Sequence, residues 1–192
     1  MRRWLLVLPV AAAAAAACSS GSGPGADTEA AATAQNQQKI DAADVTDKQE
    51  ADARFLVEAT GNALLEVELG KLLQARAALP AARAYGPRLV QDRLTLLAAL
   101  RALAQAKNLA LPPALSEDAQ SAYHDVSAQA GPRLDQQAVA LLVKAQKQDE
   151  DAFDDMKDDA FDGDIRGFAA KYHPLVEAQL DATKELTDAV KK

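Results

Sequence analysis

The chain offers few residues with chemistry of their own. Its one cysteine, Cys18, follows Ala15-Ala16-Ala17 at the end of an apolar run that starts at Trp4, behind Met1-Arg2-Arg3. Positive charge, a short hydrophobic stretch and small residues before a cut mark an export signal, and the run is shorter than the ~20 apolar residues a spanning helix needs. A cysteine at the cut is where bacterial lipoproteins are acylated. The usual motif prefers Leu where Ala15 stands, so conventional cleavage at an Ala-x-Ala site is the competing reading. Acylated Cys18 would anchor the chain to a membrane and leave no thiol for catalysis or a disulfide. Ser19 and Ser20 in place of Asp after it point to a periplasmic, outer-membrane lipoprotein of the bacterial cell envelope.

Two other groupings invite chemistry and fail on geometry. Ser121 and His124 lie one helical turn apart with Asp125 adjacent. A triad needs its acid on the far ring nitrogen of the histidine, and neighbouring helical residues do not face each other. The run Asp149-Glu150-Asp151, Asp154-Asp155, Asp158-Asp159, Asp162 and Asp164 is the strongest compositional anomaly. Asp151, Asp154, Asp155, Asp158, Asp159 and Asp162 together form a candidate weak cation surface. Asp158, Asp162 and Gly163 resemble part of a calcium loop, but Ala160 and Ala169 stand where ligands are needed. A solvated acidic face is the plainer reading. With no phosphate loop, dinucleotide fingerprint or Cys-x-x-Cys, no catalytic residue, cofactor or metal ligand set is assigned, and the chain reads as non-enzymatic.

Those residues must be carried by helices, because hydrophobic spacing follows a helical rhythm from Thr46 onward and no segment alternates as a strand. Long helices are expected from about Thr46 to Leu79, Ala81 to Lys107, Gly131 to Phe161 and Gly163 to Val190, with a short one capped by Ser116 between the second and third. Gly86-Pro87 and Pro174 should bend their helices. Residues 1–18 form the signal and 46–192 the folded domain. Residues 19–45, poor in large apolar side chains, are expected as a disordered tether with a root-mean-square reach of ~25–30 Å. The four long segments share no strong mutual repeat. Without Arg2 and Arg3, 19 basic residues face 28 acidic ones. A net charge of −9 argues against a nucleic acid partner; a protein partner or a second copy stays open. The lone tryptophan, Trp4, lies in the signal.

In a four-helix bundle each helix shows its neighbours a seam at alternating steps of three and four. Each seam here is apolar or small except near its middle, where Glu66, Arg93, Gln146, Asp149 and Gln179 fall. Mid-helix positions meet at one height whichever way helices run, so these five should form one buried polar layer. A buried guanidinium without a carboxylate is too costly to keep, so Arg93 should pair with Glu66 or Asp149.

The same residues carry a resemblance. Ala51-Asp52-Ala53-Arg54-Phe55-Leu56, Leu65-Glu66-Val67-Glu68-Leu69-Gly70-Lys71-Leu72, Tyr85-Gly86 before Arg88-Leu89-Val90, and Phe168-Ala169-Ala170-Lys171 with Pro174 resemble the domain-of-unknown-function family 4142 over roughly Asp47 to Val190. The resemblance implies an exported, ferritin-like four-helix bundle, all-α, with a long crossover between the second and third long helices that holds the short one. Members typically carry histidines where this chain has Arg93, Gln146 and Gln179, beside an aspartate kept here as Asp92. Bundle metal sites use inward Glu residues and Glu-x-x-His. This chain has no such motif, and its histidines are His124 and His173. The expectation is therefore a metal-free layer in an envelope protein with an interaction or stress-protective role. The alternative is a cation-binding module using the acidic surface.

Overall fold

The computed structural model describes residues 27–41 and 47–191. It consists of α1 (Thr28–Asp41), α2 (Asp47–Arg76), α3 (Pro80–Ala106), α4 (Glu117–Ser127), α5 (Gly131–Asp159) and α6 (Gly163–Val190), with no strand among the described residues. Cys18 and the rest of residues 1–18, expected as an export signal, lie outside them.

Local chemistry sets the ends. Pro80 opens α3 where a missing N–H costs nothing. The Ser116 side chain accepts from Ala119 N at 3.2 Å to cap α4, as expected. Asp162 accepts from Asp164 N and Ile165 N to cap α6. Gly131, at φ +59°, makes the turn into α5 that a side chain would resist. Pro87 and Pro174 sit inside α3 and α6, each of which continues as one helix through its proline.

The four long helices close a ring in the order α2, α3, α6, α5. At one end, Lys107 just after α3 pairs with Asp162 and Asp164 at the start of α6, at 2.6 and 2.7 Å. Asp52, near the start of α2, accepts from Phe161 N and Asp162 N there. At the other end, Asp135 in the first turns of α5 accepts from Ala78 N and Leu79 N, and Gln136 reaches Val190 O. Helices α3 and α5 therefore run the same way, every neighbouring pair in the ring is antiparallel, and residues 107–130 form a long crossover carrying α4 against α2 and α5.

The stretch 19–45, expected as a tether, is corrected over its central part. Thr28–Asp41 is helical and packs on α2. Residues 19–26 and 42–45 of the stretch lie outside the described residues. A low content of large apolar side chains made the segment read as unfolded, but Ala is the best helix former, and small side chains let a helix settle closely. Ala32 and Asn36 are buried, and Asn36 clamps the crossover backbone both ways: Nδ2 donates to Ala110 O at 3.0 Å, and Ala110 N donates to Oδ1 at 2.7 Å.

The two hairpins are built alike, which the sequence alone did not reveal. Asp52 holds the α5–α6 turn and Asp135 the α2–α3 turn, each buried and each taking two backbone N–H groups. Arg83 donates to Ala77 O and Arg166 to Ala160 O, six residues back in each case. Asp52 and Asp135, Ala77 and Ala160, Arg83 and Arg166 stand at one constant offset along the chain, and so do Glu66 and Asp149.

The candidate functional site: a polar layer at mid-height

The core is cut in two. Around one end Phe55, Leu56, Leu96, Leu97, Leu100, Phe153 and Ile165 pack together, with the Phe55 and Phe153 rings edge-on at 4.9 Å. Around the other, Leu65, Leu69, Leu73, Leu89, Leu134 and Leu142 do the same. Between the two lie Glu66 from α2, Arg93 from α3, Gln146 and Asp149 from α5 and Gln179 from α6, all buried. The five residues expected from the seams are all inside, and four of them, Glu66, Arg93, Gln146 and Asp149, join in one hydrogen-bonded group.

Arg93 is the centre. Its Nε donates to Glu66 Oε2 at 2.9 Å and its Nη1 to Asp149 Oδ2 at 3.3 Å, with all three side chains shut off from solvent. Gln146 Nε2 donates to the same Glu66 Oε2 at 2.8 Å. Gln179 looks elsewhere: its Nε2 donates to Asp92 Oδ2 at 3.1 Å. Three partners were not read from the sequence. Asn62 Nδ2 donates to Asp149 Oδ1 at 2.8 Å. Tyr85 OH lies 3.4 Å from Gln146 Nε2 and 2.7 Å from Thr183 Oγ1. Their signal was spacing: Asn62 is one turn before Glu66, Thr183 one turn after Gln179, and Tyr85 two turns before Arg93.

Two carboxyls face one guanidinium, and burial decides the charge. Desolvation pushes the Asp149 carboxyl up to about 8, against the pull of Arg93 and with a further push from Glu66. Burial also raises Glu66, opposed by Arg93 and Gln146. Glu66 holds the shorter bond to Arg93 and a second bond from Gln146. We therefore place the ionised carboxylate on Glu66 and the proton on Asp149, which leaves the layer neutral at pH 7. Desolvation likewise raises Tyr85. Glu66 Oε1, Arg93 Nη2, Gln146 Oε1 and Gln179 Oε1 find no partner within the protein.

The layer does not suit a metal ion. Arg93 puts a fixed positive charge between the two carboxyls that would be its ligands, and neither histidine is in the layer. His124 is exposed on α4 with Ser121 and Asp125. His173 on α6 is half-buried against α5, its Nε2 at 3.4 Å from Asp154 Oδ1 and 3.8 Å from Glu150 Oε1. Among the described residues, no group of three His, Cys, Asp or Glu side chains is arranged to hold a metal.

The acidic run is spread out and partly answered by lysines. Lys147 pairs with Asp151 and with Glu150. Lys157 pairs with Asp154 at 3.1 Å and with Asp158. Asp162 leaves the run to cap α6 and bind Lys107, which lowers its carboxyl even though desolvation is its largest influence. Asp159 is exposed at the end of α5. Asp151, though paired with Lys147, and Asp155 line a cleft of about 560 Å³ with Glu29, Glu58 and Asn62, where Asp149 also reaches the wall.

Residues 35–186 match the family described as Domain of unknown function (DUF4142). The chain belongs to that family. No curated protein and no solved structure matches it. The structure explains two of the family-like segments. Gly70, in Leu69-Gly70-Lys71-Leu72, and Gly86, after Tyr85, bring α2 and α3 into backbone contact. A Cβ on Gly86 would stand 2.5 Å from Gly70 O and 2.8 Å from Gln74 N. These glycines of the DUF4142 chain set how closely the first hairpin closes, and hence how near Arg93 comes to Glu66.

Proposed function

We propose that this DUF4142 protein is an exported, lipid-anchored protein of the bacterial cell envelope. Its ferritin-like bundle acts through its surface, in a non-catalytic interaction or stress-protective role. The observation that carries this reading is Arg93, bound to Glu66 and Asp149 in the middle of the bundle. By the family resemblance a histidine belongs there. A guanidinium keeps its charge at any physiological pH, so it can neutralise the carboxyls but can neither ligate a cation nor exchange a proton. The long crossover between α3 and α5 supports the ferritin-like reading. The Cys18 context supports the anchor.

The test has two arms. Native mass spectrometry of the mature chain, purified without chelator and then offered iron, manganese or zinc, should find no stoichiometric transition metal; a bound ion would sink the reading. In cells, Cys18→Ala should move the protein from the membrane to the soluble periplasmic fraction and abolish labelling by a fatty acid. Unchanged membrane retention would remove the anchor while leaving the bundle reading intact. The cleft lined by Glu58, Asp151 and Asp155 favours a second reading as a weak cation-binding module. Calorimetric heat on calcium addition at millimolar concentration would support that instead.

A further inference from the structure

Helix α1 is held differently from the rest of the molecule. Only Ala32 and Asn36 of its side chains are buried among the described residues, so it gains little from apolar packing. An unfilled space of about 110 Å³ remains between it and α2, lined by Asn36, Ile40, Ala53 and Val57. Polar clamps hold it instead. Asn36 binds Ala110 at both backbone groups, Thr28 Oγ1 donates to Ala114 O at 2.6 Å, and Lys39 donates to Asn108 O. These three clamps end on the crossover between α3 and α4, and a fourth tie, Gln37 Nε2 donating to Glu50 Oε1 at 3.2 Å, ends on α2.

Its N-terminal end meets hostile charge. The Glu29 carboxylate lies directly on the α2 backbone at Gly61, where a Cβ would come within 1.7 Å of Oε1. Around it stand Asp27 on its own segment, Glu58 on α2, Asp118 on α4, and Asp151, Asp155, Lys144 and Gln148 on α5. Among the described residues Lys144 is the single cation lining these clefts, and it is exposed; Lys147 on α5 also pairs with Asp151. Glu29 forms part of the wall of both, including the one that reaches Asp149.

We propose that α1 is a releasable strap that docks over the cleft beside Asp149 in mild acid, pins the crossover, and loosens toward neutral pH. The physical driver is the Glu29 carboxyl. Desolvation raises it, and Asp27, Glu58 and Asp118 raise it further. The docked state thus holds the proton more tightly than the free strap does. Docking is strongest below the ordinary glutamate range and weakens as pH climbs through the raised value. Loss of the Asp149 proton at higher pH adds negative charge at the same cleft. Releasing the strap would also free Ala110 and Ala114, and with them the crossover.

Hydrogen–deuterium exchange of the full mature chain tests this, compared at pH 5 and pH 8 after correction for intrinsic exchange. Protection of residues 28–41 should fall at least about tenfold between the two while α2, α3, α5 and α6 hold theirs. Glu29→Gln should keep the strap protected at pH 8. Asn36→Ala should lose its protection at both values with the bundle amides unchanged, which separates release from unfolding. Equal protection of the strap at both pH values, its absence at both, or a Glu29→Gln strap as labile as wild type at pH 8 would each overturn the proposal.

Discussion

Asp149 shows how one atom's surroundings set a property of the whole chain. Its carboxyl titrates near 8 in the folded protein, against an ordinary value of 3.8. The folded state therefore holds a proton that the unfolded chain has already released, throughout that interval. Stability must fall as pH rises from about 4 toward 8 and level off beyond, because the folded state binds the extra proton. Asp149→Asn should flatten that slope. An amide keeps the shape and cannot titrate, although it has one acceptor oxygen for the two donors, Arg93 and Asn62, that Asp149 now binds. We expect the unfolding free energy of the variant, from urea melts, to fall on the order of 1–3 kcal/mol less than that of wild type between pH 5 and pH 8. A residual slope belongs to Glu66 and Asp52, which burial also raises. Identical slopes would place the proton elsewhere.

At the scale of elements, the glycines of α2 and α3 matter more than their prolines. Gly86→Ala must push its new Cβ into the Gly70 carbonyl, and backbone cannot swing aside as a side-chain tip does. The two helices would part, lengthening the Arg93–Glu66 bond as well. Thermal melts should show a loss of ~1–3 kcal/mol, typical of overpacking. Gly167→Ala, on α6 with nothing within 4 Å of its new methyl, should instead gain up to ~1 kcal/mol from helix propensity. A neutral Gly86→Ala would mean the hairpin has slack. The same contrast explains what the sequence disclosed. Seam spacing placed Glu66, Arg93, Gln146, Asp149 and Gln179 because a charged or amide residue in an apolar stripe is conspicuous. Asn62, Tyr85 and Thr183 escaped notice because each fits equally well on the flank of a helix. Helix α1 escaped because its hold on the bundle is a side-chain clamp to a loop, Asn36 on Ala110, which no periodicity encodes.

Across the whole molecule, the two hairpins solve the same problem twice, and the constant offset from Asp52 to Asp135 makes the solution visible. Neither could be seen as a repeat in the sequence, because the positions between them have diverged. Arg93 corresponds to Val176 and Gln146 to Ala63 at that offset, so the layer is asymmetric where the turns are not. Glu66 and Asp149, by contrast, keep the correspondence and share Arg93 between them. If the two turns are truly equivalent, Asp52→Asn and Asp135→Asn should cost alike. Each carboxylate binds two backbone N–H groups, and an amide offers only one acceptor oxygen for them, so each change should cost ~1–3 kcal/mol. The sites lie at opposite ends of helices ~40 Å long, share no partner, and should add within about 0.5 kcal/mol in the double variant. Urea melts of the two single variants and the double check both statements. A severe loss at one turn with none at the other would make the likeness one of shape alone, and strong non-additivity would mean that the Glu66–Arg93–Asp149 layer couples the two ends through the core.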